Sequence, residues 1–323
     1  MEDLSQYFDI LNENLKKNEF TQEPIALYEP INYILNLGGK RLRPIITLLT
    51  CDFFGGDLEQ AIKPSLAIEF FHNFTLMHDD IMDKAPLRRG KTTVHEKFSV
   101  DAAILSGDAL LVKAYQYLED LPADKFKKVT ELFSDAAIKV CEGQQYDLNF
   151  ETQTEVTEEE YLKMIYYKTG SLVATAFKIG AVIAGASEED ASHIYNFGKN
   201  LGIAFQLKDD LLDVYGDRDL VGKIHAGDIY ENKKTILYIK AKEKASAAQK
   251  EELNYWYNRK TDNIDKVYSV ENIFKMLRID KVIENEIEKY TDIANKELLK
   301  VKGNKMNHDI LVRFNRDLIG RSF

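Results

Sequence analysis

Leu76-Met-His-Asp79-Asp80-Ile-Met-Asp83 closes an apolar run that begins near Leu66 and holds neither glycine nor proline. Leu66, Ala67, Ile68, Phe70, Phe71, Phe74, Leu76, Met77, Ile81 and Met82 make up that run, and a stretch so apolar predicts a buried helix. On such a helix Asp79 and Asp83 stand four residues apart, on one face and roughly 6 Å from each other at Cβ. Carboxylates do not sit in a core without a partner, so a cation is expected beside them. Ligation by oxygen alone points to Mg²⁺ rather than zinc. A second copy, Gln206-Leu-Lys-Asp209-Asp210-Leu-Leu-Asp213, lies in an equally apolar, helix-compatible setting. One such motif reads as a solvated acidic helix end; two suggest a shared metal site for a polyanionic ligand.

The 323 residues carry 53 acids against 43 bases, a net charge of −10, which argues against nucleic acid as a partner. With 45% hydrophobic residues there is ample material for a core. All six prolines lie at or before Pro122, and the period-2 alternation of strands is absent. The expected fold is therefore all-α, a single domain over residues 1–323. The opening Met-Glu-Asp-Leu-Ser-Gln lacks the pattern of a secretory leader, and no apolar stretch reaches the length of a membrane span. Cys51 and Cys141 sit in apolar surroundings and are expected as buried free thiols of a reducing compartment, with no zinc-type spacing. The expected location is cytoplasmic.

Basic segments accompany the acidic ones. Gly38-Gly39-Lys40-Arg41-Leu42-Arg43-Pro44 combines a free backbone with three bases, and reads either as a phosphate grip or as a solvated loop. Behind the first acidic motif comes Lys84-Ala-Pro-Leu-Arg88-Arg89-Gly90-Lys91, where an arginine pair after a tight turn suits a diphosphate. His72, Leu76, Asp79 and Asp83 share one helical face, so His72 either looks into the same cavity or is a satisfied core histidine. Tyr167-Lys168-Thr169-Gly170 opens a helix rich in small residues, which allow close packing, and Lys168 at its start could point into a cavity. Behind the second acidic motif come Gly222-Lys223 and Asn232-Lys233-Lys234-Thr235. Acid cluster, turn, then cations is the layout of a site that closes over a diphosphate. Thr157-Glu-Glu-Glu160 is a capping box. The last third, with Ile283, Ile287, Tyr290, Ile293 and Ala294 at helical spacing, reads as amphipathic helices, and Trp256 as packing.

Taken in order, GGKRLRP, LxHDDxxDxxxxRRG, YxKTxxL, QxxDDxxD and GK…GDIxENKKT make the stretch from Gly38 to about Thr235 resemble the trans-isoprenyl diphosphate synthases, the polyprenyl synthetase family, of the farnesyl/geranylgeranyl type. The resemblance implies an isoprenoid synthase fold, a helical bundle around a deep central cavity, in a homodimer. It implies Asp79, Asp83 and Asp209 as ligands for up to three Mg²⁺ ions, with Asp80 and Asp213 supporting them largely through the groups around the metal. Arg88, Lys168, Gln206, Lys223 and Lys233 would hold or shield an allylic diphosphate, with Thr169 beside its reacting carbon. Lys40, Arg43, His72 and Arg89 would bind isopentenyl diphosphate. The implied partners are thus small diphosphates and a second copy of the chain.

In such enzymes bulk at the fourth and fifth residues before the first aspartate limits product length. Here those residues are Thr75 and Phe74, whereas a helical wheel puts Phe71 and Thr75 nearer the aspartate face. The expected product has fifteen to twenty carbons, leaning to twenty. A terpene cyclase would carry a different second motif and would not need the isopentenyl grip. A metal phosphohydrolase using His78 would want another histidine near Asp209, and an inactive partner subunit would tend to lose one acidic motif.

Overall fold

The computed structural model describes residues 4–216, 225–302 and 305–320, with only the backbone at 305–307. Lys223 and Arg321 lie outside the described residues. The architecture is all-α. The helices are α1 (Ser5–Lys17), α2 (Ile25–Asn36), α3 (Leu42–Phe53), α4 (Leu58–Met82), α5 (Val94–Lys97), α6 (Val100–Gln116), α7 (Ala123–Thr152), α8 (Glu158–Ile165), α9 (Ser171–Ile183), α10 (Glu188–Tyr215), α11 (Gly227–Tyr230), α12 (Ile236–Lys244), α13 (Ala247–Tyr257), α14 (Ile264–Met276), α15 (Ile279–Leu298) and α16 (Lys305–Ile319). The sequence showed no strand, yet a small antiparallel hairpin, β1 (Leu87–Arg88) with β2 (Lys91–Thr92), follows α4. It is too short to display alternation. No helix among the described residues is long and apolar enough to cross a membrane.

The chain forms two compact units. The first comprises Met1–Ala137, Thr175–Tyr195 and Val301–Ile310. Its centre is α4, which packs on α3 and α6 and is buried on every side from Ser65 to Phe71. Asp57 starts this helix by accepting the Glu59 amide at 3.0 Å, and Ser99 does the same for α6 through Ala102. At the far end Lys84, at φ +50, breaks the helix, and the Ala85 amide returns to the Asp80 carbonyl. The second unit comprises Ile138–Ala174, Asn196–Lys300 and Leu311–Phe323. Its core gathers Tyr161, Leu207, Leu211, Ile229, Ile236, Val267, Phe274 and Ile283, and partly buried Trp256 packs against it.

The capping box at Thr157 is present, with the Thr157 amide donating to Glu160 at 2.8 Å and the Glu160 amide to Thr157 at 3.2 Å. Ile283, Ile287 and Ala294 are buried as their spacing predicts, whereas Ile293 is exposed. Cys51 is buried, and burial pushes its thiol up to about 12. Cys141 corrects the expectation: it is exposed on α7, on the same helical face as Ile138, which is itself 57% exposed, so apolar neighbours in sequence do not mark a buried face.

Candidate active site

In the first unit the acidic motif divides by helical face. Asp79 on α4 and Asp83, which caps its C-terminus, are four residues apart and reach solvent, whereas Asp80 turns inward and is 2% exposed. Its carboxylate accepts Arg88 Nε at 2.8 and 2.9 Å and Arg88 Nη2 at 2.7 Å. Arg88 comes from β1, and the hairpin turn that follows is Arg89-Gly90, at φ +53 and +72. Two consecutive left-handed residues are what a two-residue hairpin needs, so the arginine pair is split by geometry. Arg88 faces Asp80, and Arg89 donates to the carbonyl of Gly38.

That carbonyl belongs to the glycine turn before α3. Gly38 and Gly39 have φ of +78 and +121, and a Cβ on Gly39 would stand 2.5 Å from the Arg89 guanidinium carbon. The second glycine is thus required twice, for its backbone and for the arginine laid over it. Arg41, buried and itself at φ +46, pairs with Glu69 and donates to the Leu35 carbonyl. Arg43 reaches His72 on α4, Nη1 to Nε2 at 3.1 Å. Burial, then the field of Arg43, Arg89, Arg88 and Arg41, hold His72 well below the usual histidine range. The ring is therefore neutral and accepts from Arg43. Partial desolvation of its guanidinium lowers Arg89 as well, although the residue as a whole is exposed. Lys40 is exposed at the lip of the same turn. Of the four predicted isopentenyl diphosphate residues, Arg43 and His72 are in contact, and Lys40 and Arg89 are brought to the one turn.

The three residues singled out for product length lie behind Asp79 on α4. Phe74 stacks edge-on to His78 at 4.8 Å and lies 5.6 Å from Phe71, ring centre to ring centre. Phe71 continues into Phe133 at 5.4 Å, and Phe133 into Tyr115 at 5.1 Å. Thr75 bonds back to the His72 carbonyl at 2.8 Å. Phe74 and Phe71 are consecutive members of one aromatic column.

The second unit repeats the division. Asp209 and Asp213 are partly exposed on α10, whereas Asp210 is buried. Asp210 accepts Tyr161 Oη and, at 3.1 Å, Gln206 Nε2. Burial, with the nearby Asp228, pushes the Asp210 carboxyl well up and Tyr161 with it. Gln206 Oε1 in turn accepts Thr169 Oγ1 at 3.2 Å, so Thr169, Gln206 and Asp210 form one chain of hydrogen bonds. Thr169 and Lys168 belong to a wide turn of π-helical pitch, Tyr166–Gly170, between α8 and α9. Such a turn carries an extra residue and commonly marks a working site. Lys168 pairs with Asp147 at 2.6 Å. Asp213 Oδ2 accepts the Asp228 amide at 3.1 Å, and Lys233 pairs with Glu231 at 2.8 Å. Burial opposes the Lys233 charge, but Asp228 and Glu231 outweigh it and hold the ammonium above the lysine range.

Sequence reading missed what holds the wide turn. A Cβ on Gly143 of α7 would strike the backbone of Lys168, and one on Gly202 of α10 would stand 2.6 Å from Gly170 Cα. Glycines inside helical patterns were the available signal. It also missed Tyr161 and Asp147, which carry no local mark.

Each motif thus presents two solvent-reaching carboxylates four residues apart and turns the middle one inward. No group of three or more His, Cys, Asp and Glu side chains among the described residues is arranged to hold a metal by itself. Carboxylates paired four residues apart fit Mg²⁺, which takes one or two carboxylates and completes its shell with water and substrate phosphate.

The polyprenyl synthetase family model matches residues 24–274. The chain belongs to the polyprenyl synthetase family. A geranylgeranyl diphosphate synthase of Sulfolobus acidocaldarius is 38% identical over 298 residues, covering 89% of this chain and 90% of that protein. Among solved structures, a geranylgeranyl pyrophosphate synthase is 43% identical with a TM-score of 0.95 and covers 99% of both chains. The geranylgeranyl pyrophosphate synthetase of Pyrococcus horikoshii is 33% identical with a TM-score of 0.93, covering 99% of this chain and 98% of its own. Fold and family membership agree.

Proposed function

We propose that the chain is a short-chain trans-prenyltransferase. It condenses isopentenyl diphosphate with an allylic diphosphate and releases a linear prenyl diphosphate of fifteen to twenty carbons, with geranylgeranyl diphosphate the favoured product. The observation that carries this reading is the division within each acidic motif. Asp80 and Asp210 turn inward to Arg88 and to Tyr161 with Gln206, whereas Asp79, Asp83 and Asp209 lie on the solvent-reaching side of their motifs, where a metal-bound diphosphate can meet them. The Sulfolobus and Pyrococcus relatives, both geranylgeranyl diphosphate synthases, support the twenty-carbon product.

Mg²⁺ bound by Asp79, Asp83 and Asp209 would supply the positive charge that makes pyrophosphate a good leaving group. Arg88 spends its Nε proton and one Nη2 proton on Asp80, so three N–H remain for the allylic diphosphate. Lys168 and Lys233 add charge where the departing group becomes more negative. Their carboxylate partners, Asp147 and Glu231, hold them until a stronger anion arrives. As the allylic C–O bond breaks, the cationic carbon needs oxygen lone pairs that do not bond to it, and Thr169 and Gln206 present theirs in a fixed chain. Arg43, neutral His72, Arg89 and Lys40 hold isopentenyl diphosphate, whose double bond attacks the cationic carbon. A new C–C bond forms, and the proton then lost goes to the released pyrophosphate. No other base is required.

The single-domain reading, 1–323, is supported by a family match that runs through segments of both units. A homodimer is supported by α6, where Val100, Ile104, Leu105 and Val112 are 47%, 40%, 60% and 58% exposed on one face. A cytoplasmic location is supported by two unpaired thiols.

The test is product analysis with labelled isopentenyl diphosphate, Mg²⁺, and dimethylallyl, geranyl or farnesyl diphosphate in turn, with and without a chelator. A linear, Mg²⁺-dependent product supports the reading, and its length tells whether Phe74 or Phe71 closes the pocket. A cyclic hydrocarbon or bare phosphate release would refute it.

A further inference from the structure

Lys266 of α14 is 0% exposed, a lysine enclosed in the second unit. Its partners are all neutral oxygens: the Tyr230 carbonyl at 3.1 Å, Asn232 Oδ1, and the Arg259 carbonyl at 3.4 Å. An ammonium has three protons, and here each has an acceptor. Enclosing a charge without a carboxylate is costly, and an apolar side chain would fill the space at less cost. Two of the three acceptors lie on the segment that runs from the second acidic motif to Lys233.

One turn and a half along α14, Glu271 takes His225 at 2.6 Å. The helix therefore grips residues 225–232 at both ends, His225 at the start and Tyr230 with Asn232 at the finish. Between them Ile229 is buried in the same cluster as Val267, Val270 and Phe274 of α14. The segment is also under backbone strain at Ala226, which sits at φ +55, whereas Asn232 at φ +60 is a residue type that accepts that region. At alanine a left-handed conformation persists only where the surroundings impose it. What the segment does from this position is specific. The Ala226 amide donates to the Asp213 carbonyl at 2.8 Å, the Asp228 amide to the Asp213 carboxylate at 3.1 Å, and the Lys233 amide to the Asp228 carbonyl at 2.9 Å.

We propose that Lys266, assisted by Glu271, is a positioning residue for the allylic diphosphate: it clamps the turn from Ala226 to Asn232 so that Asp213 keeps its amide partner and Lys233 is aimed. The inference rests on the reading of Lys233 and the second acidic motif as binders of that diphosphate. It gives the C-terminal third, which the motifs leave without a task, a part in substrate binding.

The experiment separates the Michaelis constants for farnesyl diphosphate and isopentenyl diphosphate in full-length protein, with the melting temperature measured alongside. Lys233→Ala is the reference and is expected to raise the farnesyl diphosphate KM. Lys266→Met is expected to raise it about tenfold with the isopentenyl diphosphate KM within about twofold. Asn232→Gly keeps the backbone conformation and removes the acceptor for Lys266 together with the Nδ2 donor to the Arg259 carbonyl, so it should show the same split. Asn232→Asp, which keeps an oxygen for Lys266, should restore the parent values. If Lys266→Met does not fold, the Asn232 pair decides. A clamp with no part in binding would lower the melting temperature and leave the ratio of the two constants unchanged in Lys266→Met and Asn232→Gly. That result, with Lys233→Ala behaving as expected, overturns the inference. An unmoved farnesyl diphosphate KM in Lys233→Ala overturns the reading beneath it.

Discussion

Replacing Arg88 by Met should destabilise the apo-protein more than removing Arg88 and the charge of Asp80 together. Asp80 is 2% exposed and receives every hydrogen bond that Arg88 is seen to make through Nε and Nη2. Removing one partner of a buried pair leaves the other charge stranded, at a cost of about 3–5 kcal/mol. The Arg88 side chain is 25% exposed, so water can reach part of the gap, and the lower end, about 3 kcal/mol, is expected. In Arg88→Met with Asp80→Asn no charge is stranded, and the loss should fall to about 1–1.5 kcal/mol. The double variant should therefore be more stable than Arg88→Met alone by roughly 2 kcal/mol. Urea unfolding followed by far-UV circular dichroism, with chelator present, measures all four proteins. The reasoning fails if Arg88→Met lies within about 1 kcal/mol of the parent, or if the double variant is no more stable than Arg88→Met alone.

Asp79→Ala and Asp209→Ala should each cut turnover by several orders of magnitude with the helical signal intact, and near-parent turnover in either would remove the two-motif metal site. Gly39→Ala should raise the isopentenyl diphosphate KM about tenfold or more and leave the allylic KM within about twofold, because the new methyl group displaces Arg89; steady-state kinetics with each substrate varied would show it. His72 is held below its unfolded value, near 6.5, so its contribution is complete above that pH and is lost as the pH falls below it. His72→Gln should thus flatten the acid side of the stability curve by up to about 1.4 kcal/mol per pH unit, read from urea midpoints between about pH 5 and 7.

Much of this was legible before any coordinates. The all-α class followed from an apolar run without breakers and from prolines confined to the first part of the chain, and both acidic motifs lie on helices as their spacing required. The contact between Arg43 and His72 was within reach of motif reading. The division of labour inside each motif was not, because a sequence of adjacent aspartates does not say which one turns inward. That is decided by long-range partners, Arg88 for one and Tyr161 for the other. The hairpin at 87–92 escaped because two-residue strands have no period, although Arg-Gly at a turn was its one trace. The pairing of Lys168 with Asp147 depends on two helices meeting, which no local pattern records.

The two glycines that flank the wide turn have a consequence for anyone who would stabilise this chain. Exchanging glycine for alanine inside a helix is a routine gain of about 1 kcal/mol in thermostability engineering. At Gly143 and Gly202 the added methyl group meets backbone rather than a side chain that could swing aside. The exchange there would unseat Lys168 and Thr169 together. Rules based on helix propensity would choose these two positions, and the exchange there would be expected to lower the melting temperature and the turnover together.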